Sequence, residues 1–407
     1  LNFSFATGNA STLFDHEGTS SAARNIPLHE TIVSLVTFQC FSVGGLIGQV
    51  YWNGTRCGEL ADPNKANGPV KSTDGPCVSS SMIHALLRGK DVGESLFLNL
   101  PTLEQIRATY QSQNSGVPVW EHMPETHTDA DAIANATGTY IGRLVPLTRL
   151  IRLSCNGLHM LLGDGLPYAS FANGFPPEPS ATVITKEDGR SLLSYRPSRA
   201  LWRELSAIVV KRKAGEPGGP MALSAILEGK DVDLVVSALA RDKATIVDTV
   251  ESIFHISASL TTAVGSATYE SEVKIAESLA SRVGRALETY RLEIDGGWEG
   301  KLKGAGAKKG ELKAKLHSVS TNHYWTSVEK NLSLLMNHVE AIGSELAEPT
   351  RDAWRSMLFR NACEAYTLAC GQNMPRQRRA FAKGWQRLTT TKDEPETDST
   401  EHKGDDQ

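Results

Sequence analysis

The stretch TYESEVKIAESLASRVGRALETYRLEI, from Thr268 to Ile294, decides how the chain is read. Ile275, Leu279, Val283 and Leu287 recur one helical turn apart, with charged residues between them, which predicts an amphipathic α-helix. Ser271 and Glu272 suit its opening turns, and Asp295-Gly296-Gly297 supplies the glycine stop. Working outward, similar periodicity predicts a helix over 232–260, with Val235, Leu239, Ile246, Val250 and Ile253 near one face. Further helices are expected over 311–346, from Pro349 to about Gly371, and from Pro375 to about Leu388. Gly300 to Gly310, rich in glycine and lysine, reads as a flexible basic linker. Consecutive long amphipathic helices argue for an antiparallel bundle over 231–388. Residues 389–407 carry almost no apolar side chains and read as a disordered tail.

Residues 1–230 have a different texture. Asn53-Gly54, Asp62-Pro63, Asn67-Gly68-Pro69, Asp74-Gly75-Pro76 and Gly174-Phe175-Pro176-Pro177 mark turns between short apolar runs. Thr182 to Thr185 and Leu205 to Val210 read as strands, and Met82 to Leu87 as helical. The expectation is an irregular α/β domain with long loops, hence an α+β chain.

The 407 residues carry a formal charge of −4, with 22% charged and 40% apolar residues, as in a soluble globular protein. The apolar runs are too short to span a bilayer. The six cysteines form no C-x-x-C pair, so a reduced, cytoplasmic protein without structural zinc is expected. The modest net charge does not exclude nucleic acid, because local patches and not totals attract phosphates.

Motifs for chemistry are missing. The sequence holds no G-x-S-x-G, no H-E-x-x-H, no Walker A loop and no G-x-G-x-x-G after a strand. Ser79-Ser80-Ser81 ahead of His84 leaves a serine-type hydrolase as an alternative, and an architectural bundle protein without DNA contact as another. Binding signals are local. Asn67-Gly68-Pro69-Val70-Lys71-Ser72 places glycine and lysine in one loop. Lys186-Glu187-Asp188-Gly189-Arg190 reads as a hairpin turn. Arg241-Asp242-Lys243-Ala244 interrupts an apolar run with charge. Arg376, Arg378, Arg379, Lys383 and Arg387 surround Phe381 and Trp385 on a basic amphipathic helix.

Thr12-Leu13-Phe14-Asp15-His16, the loop at Asn67 to Ser72, Arg88-Gly89 followed by Leu96 to Leu100, Pro118-Val119-Trp120, Tyr140 to Leu147, Phe175 to Ser180 and His323-Tyr324-Trp325 occur in this order. In that order and spacing the chain resembles the CasA family, the large subunit of the type I-E CRISPR surveillance complex, Cascade. The family's opening Trp-Ile-Pro run is absent, which implies a chain that begins partway along the family's length. The resemblance implies an N-terminal α/β domain, a C-terminal four-helix bundle, no cofactor and no catalysis of its own. It implies a role in antiviral defence. The subunit reads the short motif flanking the target (the PAM) from the minor groove of double-stranded DNA, begins strand opening, and helps recruit a separate helicase–nuclease. By position, Asn67, Gly68, Pro69 and Lys71 match the groove-facing loop, and Lys186 the lysine that enters the groove. Asp242, Lys243 and Ala244 match the strand-separating wedge, with Lys243 in place of the family's glutamine. Phe14, Asp15 and His16 match the loop that touches the CRISPR guide RNA and anchors the subunit beside the other Cascade subunits.

Overall fold

The computed structural model describes residues 27–61, 70–72, 74–110, 115–154, 160–212, 216–225, 230–243, 245–294 and 306–390. By internal contacts the chain divides between Ser266 and Ala267.

The first unit opens with α1 (Leu28–Phe41), β1 (Gly45–Ile47), β2 (Tyr51–Trp52), β3 (Thr55–Arg56), α2 (Cys57–Ala61) and β4 (Val70–Ser72). It continues with β5 (Ile83–Arg88), α3 (Val92–Asn99), α4 (Leu103–Tyr110), α5 (Ala130–Gly138), α6 (Tyr140–Leu144), β6 (Arg149–Leu153) and β7 (Met160–Asp164). It closes with β8 (Val183–Lys186), β9 (Gly189–Leu192), α7 (Leu205–Ile208), β10 (Val232–Asp242) and β11 (Thr245–Ile256). The strands form small antiparallel sheets: β1–β4, β2–β3, β6–β7, β8–β9 and the three-stranded β11–β10–β5. This is the irregular α+β architecture expected.

The helix predicted over 232–260 is instead the β10–β11 hairpin. Leu234, Val236, Ala238 and Ala240 are buried while the residues between them are not, a period of two. The spacing of Val235 and Leu239 mimics a helical turn, but Leu239 is only half-buried and Ile253 is 49% exposed. Residues rich in Val, Ile and Thr fit a pleated surface better than a helix. Because β10 also pairs with β5, residues 231–262 belong with the first unit, and the helical region starts at Ala263 rather than 231. Two shorter expectations exchange in the same way. Met82–Leu87 contributes to strand β5, drawn into extended form by β10, and Leu205–Val210 holds α7, with Leu205 and Ile208 buried.

The second unit contains α8 (Ala263–Ile294, opening at the division), α9 (Gly306–Lys330), α10 (Leu332–Glu340), α11 (Ala347–Ala369) and α12 (Pro375–Thr389). On α8, Leu279, Val283 and Leu287 of the repeat read from the sequence are buried, together with Val273, Ala276, Ala286 and Tyr290, while Ile275 is only half-buried. The helix expected over 311–346 breaks at Asn331, whose backbone leaves the helical region and whose Nδ2 donates to the Ser327 carbonyl at 2.8 Å. Gly306 to Gly310, expected as linker, form the first turns of α9. Buried tyrosines fasten the helices: Tyr324 Oη donates to the Ala276 carbonyl (2.9 Å), Tyr290 to Gly371 (2.9 Å) and Tyr366 to Phe381 (3.0 Å). Each satisfies a hydroxyl that would otherwise be costly inside a core. Glu272, whose side chain is 3% exposed, is held by the Arg355 guanidinium of α11 at 2.6 Å. Gly384 lies so close to α8 and α11 that a Cβ would fall 2.1 Å from Tyr366 Oη and 2.7 Å from the Ala286 carbonyl.

Candidate nucleic-acid interface

Asp242 pairs with Thr245, so the β10–β11 hairpin turns through two residues, and Lys243 sits at its tip, exposed. Its backbone is left-handed, with φ of 53°, a conformation a lysine adopts at some cost. The register shifts between Ala240 and Arg241, just below the tip, as at a β-bulge. Arg241 then braces the turn from three sides. Its N–H donates to Ser81 Oγ (3.1 Å), and its guanidinium donates to the Lys243 carbonyl (3.3 Å) and to Asp74 Oδ1 (2.8 Å). The same carboxylate oxygen of Asp74 accepts from the Gly44 N–H at 2.8 Å. Asp74 therefore joins the tip to the start of β1.

Strand β1 pairs with β4, with Gly45 opposite Ser72 and Leu46 opposite Lys71. The backbone of Lys71 is thus placed one register position from Gly45. Gly45 lines a cleft of about 730 Å³ together with Gly44, Asp74, Ser79, Ser80, Arg241 and Lys243. Of the regions singled out from the sequence, the Lys243 tip lines this cleft, and Lys71 is placed only by its backbone register on the strand paired with β1. Asn67, Gly68, Pro69, Ala244, Phe14, Asp15 and His16 lie outside the described residues.

Lys186 stands elsewhere. It ends β8 at the tip of the β8–β9 hairpin, opposite Gly189, whose φ of 117° lets the chain reverse. The Lys186 side chain is exposed, while Val183 and Leu192 at the base pack with Met82 and Ala181. Lys186 does not line the cleft, although Leu192 does.

The cleft floor joins two distant segments. Arg143 of α6, 4% exposed, lies 3.1 Å from Glu178 Oε1 and 3.9 Å above the Phe175 ring. It also donates to the Thr137 and Ala169 carbonyls. Burial pushes the Glu178 carboxyl upward, and the Arg143 charge opposes that shift. The runs Tyr140–Leu147 and Phe175–Ser180 thus meet around one buried guanidinium.

His84 does not pair with Ser79, Ser80 or Ser81. Its Nε2 donates to the Cys77 carbonyl (2.7 Å), and its Nδ1 lies 2.8 Å from Ser180 Oγ. Ser81 Oγ instead receives the Arg241 N–H. Burial holds the His84 imidazole below its ordinary pKa, so the ring is neutral and Nδ1 accepts from Ser180. The hydrolase alternative therefore finds no nucleophile–base pair within Ser79–His84. Among the described residues no group of three or more His, Cys, Asp or Glu side chains could hold a metal, and no helix is long and apolar enough to cross a membrane.

The bracing residues Asp74, Ser81 and Gly44 escape sequence reading, since each acts through a partner far along the chain. Arg241 is visible only as one charge in a run, and an alternating reading of 232–256 would have placed it beside a turn.

The model of a protein family described as CRISPR-associated protein Cse1 matches residues 1–365. The chain belongs to the Cse1 family. Solved structures share the Cse1 fold. The CasA of Thermus thermophilus superposes with a TM-score of 0.65 at 20% identity, over 90% of this chain and 72% of that one. Acidimicrobium ferrooxidans Cse1 gives 0.61 at 17% identity, over 90% and 72%. A chain of a CRISPR RNA-guided surveillance complex gives 0.59 at 16% identity, over 90% and 69%. No curated protein matches the sequence. Identities this low speak for the Cse1 fold and not for the role of any one side chain.

Proposed function

We propose that this chain is a non-catalytic large subunit of a Cascade complex that reads the PAM of double-stranded DNA and starts its opening. In that reading its partners are the CRISPR RNA, the other Cascade subunits and a recruited helicase–nuclease, and it works in the cytoplasm. The observation that carries the reading is the Lys243 tip, a left-handed turn braced by Arg241 and Asp74 beside the strand that bears Lys71. A wedge between base pairs must resist being pushed back, and a braced hairpin does so better than a free loop. Unstacking one step costs about a few kcal/mol, offset by contacts the opened DNA permits. Lys186, on a second exposed tip, supplies a donor to base edges in the minor groove, where the degenerate code lets several related motifs pass. Target specificity is left to guide pairing.

The test uses assembled complex and a duplex carrying a fluorescent base beside the PAM. Lys243→Ala slows opening while initial binding persists. Lys243→Gly, which keeps the left-handed turn without the side chain, slows it equally. Lys186→Ala weakens binding at matched salt by about 1–3 kcal/mol. Unchanged opening in both Lys243 variants would remove the wedge role, and unchanged affinity in Lys186→Ala would remove the groove role.

A further inference from the structure

The basic helix α12 lies beyond the residues matched by the family model and takes no part in the cleft. Its fifteen residues include five cations and no acidic side chain, in a chain whose formal charge is −4. Arg376, Arg379, Lys383 and Arg387 recur at three- and four-residue steps, so they form one stripe along the helix. Eleven residues separate its ends, a rise of about 16 Å. All four are exposed, Arg379 to 75% and Lys383 to 45% of the side chain. Among the described residues one carboxylate faces them: Glu293 of α8 lies 2.5 Å from Lys383 and 4.0 Å from Arg379, and its carbonyl accepts from Arg376. A single anion against four cations leaves an excess of positive charge along the row.

We propose that this stripe is a binding surface for the phosphate backbone of a nucleic acid. A row of cations tracks a line of phosphates and gains affinity by releasing condensed counterions. A membrane surface is the poorer partner, because an interfacial helix needs a free apolar face. Here Ala380, Gly384 and Leu388 are buried, and Phe381 and Trp385 pack on Tyr366. The surface does not depend on the reading of Lys243.

The test measures binding of the full chain to labelled single-stranded DNA, duplex DNA and single-stranded RNA across salt concentrations. The variant Arg376→Gln/Arg379→Gln/Lys383→Gln/Arg387→Gln lowers the salt slope for the preferred strand by about 3, taking about 0.7 per lost contact to a single strand. Affinity falls at least about tenfold near 0.1 M salt. Arg378→Gln removes the same charge from another side of the helix and leaves the slope unchanged. Glu293→Gln frees the row and tightens binding by about twofold or more. Circular dichroism confirms that each variant keeps its helices. Should the fourfold variant lose helix, Glu293→Gln and Arg378→Gln decide alone. Wild-type chain that binds none of the nucleic acids, an unchanged slope in a folded fourfold variant, weaker or equal binding by Glu293→Gln, or binding only to phosphatidylserine vesicles would each overturn the proposal. The three nucleic-acid arms identify which strand is held.

Discussion

Breaking the Arg241–Asp74 brace should loosen the Lys243 tip and little else. The two side chains meet at 2.8 Å with 23% and 31% exposure. Full burial of such a pair would make loss of one partner worth about 3–5 kcal/mol. Full exposure would reduce it to about 0–1 kcal/mol. Partial burial, with a charge-assisted hydrogen bond, places the coupling at about 1–2 kcal/mol. Arg241→Ala also gives up the bond to the Lys243 carbonyl, and Asp74→Ala gives up the acceptor of the Gly44 N–H. Each single variant is therefore expected to expose the tip amides to hydrogen exchange about tenfold faster, the equivalent of about 1.4 kcal/mol. The double variant should exchange scarcely faster than either single one, because the second change removes a partner already lost. The assay is hydrogen–deuterium exchange by mass spectrometry on peptides covering 238–246, with peptides from β5 as the internal reference. Fully additive effects, near a hundredfold in the double variant, would refute the brace. Protection lost equally in β5 would show that the variants unfold the sheet instead of loosening its tip.

Gly384→Ala should destabilise the second unit by about 1–3 kcal/mol or more, since its Cβ would sit 2.1 Å from Tyr366 Oη. Gly284→Ala, with its nearest neighbour 3.7 Å away at His317, should be neutral or stabilising by up to about 1 kcal/mol, and thermal melts of the two variants compare them. The buried His84 binds its proton less readily than the unfolded chain does, desolvation being the larger cause. Its contribution to stability is thus complete above about pH 6.5 and is lost as pH falls from there toward the depressed folded value. Urea unfolding between pH 7.5 and 5.5 should show this slope in the wild type and a flatter one in His84→Gln. Arg355→Met should cost several kcal/mol by leaving Glu272 buried and unpaired, and Arg355→Met/Glu272→Leu should recover much of it, as denaturant midpoints will show.

Much of the architecture was legible in the sequence because it is local. The α8 repeat, the turn at 186–190 and the starts of α11 and α12 each depend on residues within a few positions of one another. The β10–β11 hairpin was not legible in the same way. Val235 and Leu239, four apart, fit a helical turn and an alternating strand alike, whereas Val250 and Ile253, three apart, suit only the helix; the choice is made by β5, which offers backbone partners along β10. Lys243 could be named from the sequence, but its placement at a braced tip depends on Asp74 and Ser81, which only folding brings near. The sequence by itself determined the helical repeat of the second unit, the family and the charges available. Tertiary structure decided that residues 232–242 and 245–256 are extended and that Arg241 holds the tip at Lys243. A run whose apolar spacing suits two conformations takes the one whose backbone hydrogen bonds a neighbouring strand can complete.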